Sequence, residues 1–155
     1  MFRIAVGLVV GVLAAGTVQA QQATPPAQQA AAAPAKRVFA SDAGLVLNFI
    51  KADKTADFEA EMAKLKEALT KSDKPERKAQ GASWKVFKAA EAGAGGSVLY
   101  VFFIDPSVKD ADYTVSTILA EAFPADVQTI FKQYSEAYAS GQNFVNLTLV
   151  QKLGN

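Results

Sequence analysis

Few residues in this chain are equipped to recognise or transform a small molecule. Its 155 residues include no histidine and no cysteine, one tryptophan and four tyrosines. Imidazole acid–base catalysis, Ser-His-Asp triads, thiol chemistry and histidine-ligated haem are therefore excluded. Zinc loses its usual nitrogen and sulfur ligands. Glu59, Glu61 and Glu67 show no repeated ligand spacing and sit on the polar side of a helical pattern, so no metal site is expected. The glycine cluster at 93–96 lacks the Gly-Lys-Ser/Thr that would make it a phosphate loop. Asn146-Leu147-Thr148 matches a glycosylation sequon but falls inside a strand pattern, which makes it a chance match. Aromatic side chains remain. Trp84, Tyr113, Phe123, Tyr134 and Tyr138 suit the walls of a cleft between helices and a sheet. Asn48, Tyr100 and Asn146 suit polar anchors on that sheet. The competing reading is that aromatics at helical spacing are simply core. No catalytic residue and no cofactor is assigned.

The elements that must position these side chains are legible from hydrophobic period. Residues 44–51 (GLVLNFIK) alternate as a first strand. Phe58, Met62, Leu65 and Leu69 then recur at steps of four, three and four, one helical stripe. Asp53 and Thr55 are candidate caps, and Asp57 suits the positive helix end. Residues 72–81 contain Pro75 and end at Gly81, which predicts a helix end and a loop with one extra turn. Residues 83–90 (SWKVFKAA) predict a second strand, outermost because lysines guard edges. A glycine-rich connection leads into residues 97–105, the third strand, as an antiparallel hairpin. Helical patterns follow on either side of Pro124. The second carries Val127, Ile130, Phe131, Tyr134 and Tyr138 and stops at Gly141. Residues 143–151 (NFVNLTLVQ) alternate as a fourth strand. The order β-α-β-β-α-β is that of a ferredoxin-like α+β fold, a four-stranded antiparallel sheet with its helices on one face. Strands one and three are the most apolar, as central strands should be.

Before this domain the chain is different. Arg3, an uncharged apolar run and Val18-Gln19-Ala20 predict a Sec-type signal peptide over 1–20, cleaved after Ala20. The apolar run is short for a membrane anchor. Residues 21–37 are expected to be a disordered Ala/Gln/Pro tether, and 38–155 the folded domain. Without Arg3, the 16 basic residues become 15 and balance the 15 acidic ones. A neutral mature chain argues against nucleic-acid partners and against a membrane surface. The expected location is periplasmic or secreted. Without cysteines, stability must come from the core or a partner.

A sheet covered by helices on one side leaves its other side to be explained. With Leu45, Leu47, Phe49, Leu99, Val101, Phe103, Val145, Leu147 and Leu149 placed under the helices, the exposed side carries Val46, Ile50, Phe102, Ile104, Phe144 and Val150. Such a patch is larger than soluble monomers usually expose, and a second copy packed sheet to sheet is the simplest cover. Those six residues are the expected dimer interface.

The strand at Asn48–Ile50, the Asp57-Phe58-Glu59 helix opening, the Trp84–Phe87 strand and the apolar Tyr100–Asp105 strand resemble the dimeric α+β barrel superfamily. The nearest-looking group is the antibiotic-biosynthesis-monooxygenase-like domains, over about residues 44–150. The resemblance implies a homodimer. It spans cofactor-free oxygenases, haem proteins, isomerases and domains of unknown role, so it does not choose a reaction. Two functions follow as expectations: an exported dimer that binds a small apolar ligand or a partner without catalysis, or a cofactor-independent monooxygenase acting on a polyaromatic phenol. A closed cavity on which Asn48, Trp84 or Tyr100 converge would favour the enzyme. The proposed ligand residues are Asn48, Trp84, Tyr100, Tyr113, Tyr134 and Asn146.

Overall fold

The computed structural model describes residues 36–154. The expected signal peptide and nearly all of the expected tether lie outside the described residues. Strand β1 (Ala43–Ile50) leads through a short 3-10 turn into α1 (Thr55–Lys71) and α2 (Pro75–Ser83). Strands β2 (Trp84–Ala92) and β3 (Val98–Ile104) form the hairpin, with Gly95 and Gly96 at positive φ in its turn. Helices α3 (Val115–Ala122) and α4 (Val127–Ala137) precede β4 (Tyr138–Leu147). The four strands form one antiparallel sheet in the order β2-β3-β1-β4. The two most apolar strands are central and the lysine-bearing β2 is an edge, as expected. This is a small α+β fold compatible with a ferredoxin-like domain.

The α1 stripe buries Phe58, Leu65 and Leu69 as its period requires. Neither Asp53 nor Thr55 caps the helix; Lys54 holds the cap position without a side-chain cap, and its Nζ meets Asp57 at 2.9 Å. Residues 75–83 differ from expectation, forming a full helix that starts at Pro75 and carries Gly81 within it. Proline at a first helical position costs nothing, because that N–H has no partner in any case. Arg77 holds α2 in place. Its guanidinium grips Glu121 through both carboxylate oxygens, at 3.2 and 3.0 Å, and donates to the Asp112 carbonyl at 2.7 Å. Strand β4 also differs. It begins at Tyr138, directly after α4, contains Gly141, and ends at Leu147 rather than running to 151.

The assignment of sheet faces is reversed. Phe58 on α1 packs on Tyr100 and Phe102, with ring centroids 4.8 and 6.2 Å apart. Val46, Asn48, Ile50, Tyr100, Phe102 and Ile104 are therefore the helix side, and all are buried. Leu45, Leu47, Phe49, Leu99, Val101 and Phe103 lie on the opposite side, half-buried against one another. Phe87 and Val145 extend that side and are exposed. The period of two was right and its phase was wrong, because strands apolar on both faces carry no phase information. Of the expected interface residues, Val46, Ile50, Phe102 and Ile104 are thus inside the protomer. Phe144 stacks on Phe39 at 4.1 Å, and Val150 lies beyond β4, almost fully exposed.

An N-terminal arm closes one edge of the core. The Arg37 amide donates to Asp112 Oδ1 at 3.0 Å, and its carbonyl accepts from the Tyr113 amide at 2.8 Å. Composition placed Arg37 in the tether, yet it is hydrogen-bonded to the domain. Phe39 is buried over Gly44, where a β-carbon would stand 1.9 Å from the ring. Only glycine lets that ring lie so close to the strand.

Candidate functional site

Helix α4 passes into β4 without a loop, so Tyr134 and Tyr138 come from two elements yet lie side by side. Their ring centroids are 5.1 Å apart at 77°. Beyond them β4 bulges: between the Asn48–Gln142 and Ile50–Tyr138 pairs, residues 139–141 stand opposite Phe49 alone. Bulges re-aim side chains at sheet edges. Here the bulge brings Gln142 onto the same side as the two tyrosines and Asn48.

These four side chains form one network. Asn48 is fully buried and donates to the carbonyls of Val46 and Tyr100, at 3.1 and 3.2 Å. Its Oδ1 accepts from the Tyr138 hydroxyl at 2.9 Å and from Gln142 Nε2 at 2.6 Å. The Tyr134 and Tyr138 hydroxyl oxygens are 2.5 Å apart. A hydroxyl has one hydrogen. If Tyr138 gives its own to Asn48, Tyr134 must be the donor in the tyrosine pair. Gln142 Nε2 also reaches the Tyr134 and Tyr138 oxygens, at 2.9 and 2.7 Å. The two backbone carbonyls fix the Asn48 amide, and the hydrogen order runs outward from it. Burial pushes the Tyr134 phenol up to about 12, and burial together with neighbouring Tyr134 drives Tyr138 higher still. Both are neutral donors at physiological pH. They are not bases.

Above the network lies a cleft of about 320 Å³ walled by α4, the β4 bulge and the arm. Tyr134, Tyr138 and Gln142 form its polar floor, and Phe131, exposed by 53%, forms an apolar wall. Among the described residues, Arg37 is the one charged residue lining it.

The other proposed ligand residues lie outside this network. Tyr100 is turned toward α1, and its hydroxyl donates to Glu59 Oε1 at 2.5 Å. Lys88 donates to the same oxygen at 3.0 Å. The Tyr100 hydrogen bond, then Lys88, holds the Glu59 carboxyl below its ordinary range. Burial, then Glu59, raises the Tyr100 phenol. Trp84 stands near the opposite end of β3, paired with Ile104 and edge-on to Phe102. Its Nε1 is buried with no hydrogen-bond partner among the described residues, beside an apolar groove of about 440 Å³ formed with Met62, Leu65 and Leu69. Tyr113 accepts from the Val108 amide at 2.7 Å and packs on Phe39. Asn146 accepts from the Ala40 amide at 2.8 Å and holds the arm. The structure thus joins Asn48 and Tyr134 through Tyr138 and Gln142, sets Tyr100 across from Asn48, packs Trp84 on Tyr113 with ring centroids 5.4 Å apart, and leaves Asn146 with the arm. Gln142 was missed because Gly141 read as a helix terminator, which put its neighbour outside the sheet.

No family model, curated protein or solved structure matches the chain. Among the described residues, no group of three or more acidic side chains is placed to hold a metal. The side chains are the guide to function.

Proposed function

We propose that this chain is an exported, ferredoxin-like domain of the dimeric α+β barrel type, a homodimer that binds a small, largely apolar ligand or a partner without catalysing its conversion. The open sheet face carries this reading. Leu45, Leu47 and Phe49 on β1 and Leu99, Val101 and Phe103 on β3 make its centre, and the central strands place no charge there. The charge at its margin, Lys85, lies over the Phe103 ring. Soluble monomers rarely leave such a patch to water. An uncharged apolar face is complementary to itself, and a two-fold axis lets one such patch cover its copy. The Ala/Gln/Pro segment before the domain has no bulky apolar side chain with which to cover it. Non-catalytic binding is supported by the separation of Trp84 from the neighbouring Asn48 and Tyr100, the three sharing none of the clefts described, and by the neutral, mutually satisfied tyrosines. Native mass spectrometry of protein from its own host tests both halves. Twice the chain mass with a retained small organic molecule is expected. A bare monomer would contradict the proposal.

A further inference from the structure

The clefts of this domain differ in how their charges are balanced. One between helices holds Lys74 and Arg77, but both are paired with Glu121 at 3.0 Å. The groove between α1 and α4 sets Lys54 against Asp57. The α1–β2 groove beside Trp84 has Lys66 as its one charge, on the outer side of α1. The α4–β4 cleft, like that groove, contains a cation and no acid, but its cation is the half-buried Arg37 where Lys66 is exposed. Among the described residues no carboxylate lies within 4.0 Å of the Arg37 guanidinium. Arg37 is half-buried and its backbone is fixed at both N–H and C=O, so the side chain is tethered at the cleft rather than free to leave it. Its field reaches both tyrosines and favours negative charge there.

The floor is polar in a directed way. Gln142 uses its Nε2 hydrogens on the network, and its Oε1 accepts no hydrogen bond from the described residues. Ser116 and Ser140 also line the wall, and their hydroxyls donate to no acceptor among the described residues. Phe131 offers an exposed ring face on the remaining side. A cation without an acid, unused hydroxyl donors and one flat apolar wall describe a small planar anion. Arginine's planar fork matches a carboxylate in two parallel hydrogen bonds. The volume, about 320 Å³, suits a ligand of one ring rather than several.

We propose that the α4–β4 cleft binds a small aromatic carboxylate, with the carboxylate on Arg37 and the ring against Phe131. This rests on the binding reading above and narrows the ligand from apolar to amphiphilic and anionic. The polyaromatic phenol of the oxygenase alternative is too large for the cleft and brings no carboxylate.

The test is a titration of isotope-labelled protein with sodium benzoate and, separately, with neutral benzamide, followed by amide chemical shifts. Benzoate should move the amides of Arg37, Ser116, Phe131 and Gln142 together. Arg37→Gln should weaken benzoate about tenfold, which corresponds to about 1.4 kcal/mol. It should fold normally, because the native contacts of Arg37 are made by its backbone. Phe131→Ala, at an exposed position, should weaken both probes. Equal binding of benzamide and benzoate, or an unchanged affinity in Arg37→Gln, would overturn the anion class while leaving the cleft as a binding site. Shifts confined to other surfaces would overturn the site. No binding of either probe would count against both the ligand class and the binding reading, leaving the dimer to be judged by its own measurement.

Discussion

The two sides of β1 differ by one residue type, and that residue lies on the side a hydropathy argument would expose. Leu45, Leu47 and Phe49 face away from the helices, while Val46, Asn48 and Ile50 face them. The side with the amide is buried and the wholly apolar side is open. Burial of a polar group is tolerated when every hydrogen-bonding position is used, and Asn48 uses both N–H groups and accepts twice. An apolar side left open has no such local explanation. On the proposal above, a second copy covers it.

The largest effect should fall on the helix side. Phe102 is 1% exposed and packs between Phe58 and Trp84. Phe102→Ala should cost about 3–5 kcal/mol in chemical denaturation, as buried Phe-to-Ala changes do. A loss under 1 kcal/mol, or dissociation of a folded dimer instead, would reverse the two sides. Asn48→Leu keeps the size but leaves Gln142 Nε2 and the Tyr138 hydroxyl without their acceptor. It should cost about 1–3 kcal/mol, and an equally stable variant would show that the network is not specifying the core.

Tyrosine ionisation separates the sides by pH. Burial raises the Tyr134 phenol to about 12, above its ordinary 10. The neutral form therefore supports the fold fully below pH 10, and that support is lost as pH rises from 10 toward 12. Ultraviolet titration should show Tyr134 and Tyr138 ionising only with unfolding. Four tyrosines titrating together near 10 in folded protein would contradict the buried network. The smallest effect belongs to Glu59, a half-exposed partner of Lys88. Its carboxyl is held low, so its contribution is present above the ordinary carboxylate range and lost as pH falls through its folded value. Glu59→Gln should change stability by less than about 1 kcal/mol and should flatten that acid dependence.

Much of this was legible in sequence. The period of two in 44–51 and the helical stripe from Phe58 to Leu69 gave the order of elements. Sheet phase was not legible, because Val46/Leu47 and Phe102/Phe103 are interchangeable in hydropathy and only the packing of Phe58 chooses between them. Asn48 and Tyr134 were each legible as candidates, an amide in an apolar strand and a tyrosine on a helical stripe, but their meeting was not, because the reversed sheet phase put Asn48 on the side away from the helices. Gln142 was hidden by the bulge, which no local pattern marks. Arg37 was hidden by composition, since the residues just before it resemble a tether.

The central claim is that the open side is a contact between copies. Sedimentation equilibrium of the wild-type protein and Val101→Glu tests it most directly. Val101 lies on β3 between Leu47 and Phe87, at the middle of the open side. A charge there would be left unpaired in a dry contact, which is costly, yet would meet water in a free protomer. The wild type should sediment as a dimer, and Val101→Glu as a folded monomer with unchanged circular dichroism. A wild-type monomer, or a Val101→Glu dimer of undiminished affinity, would contradict the account.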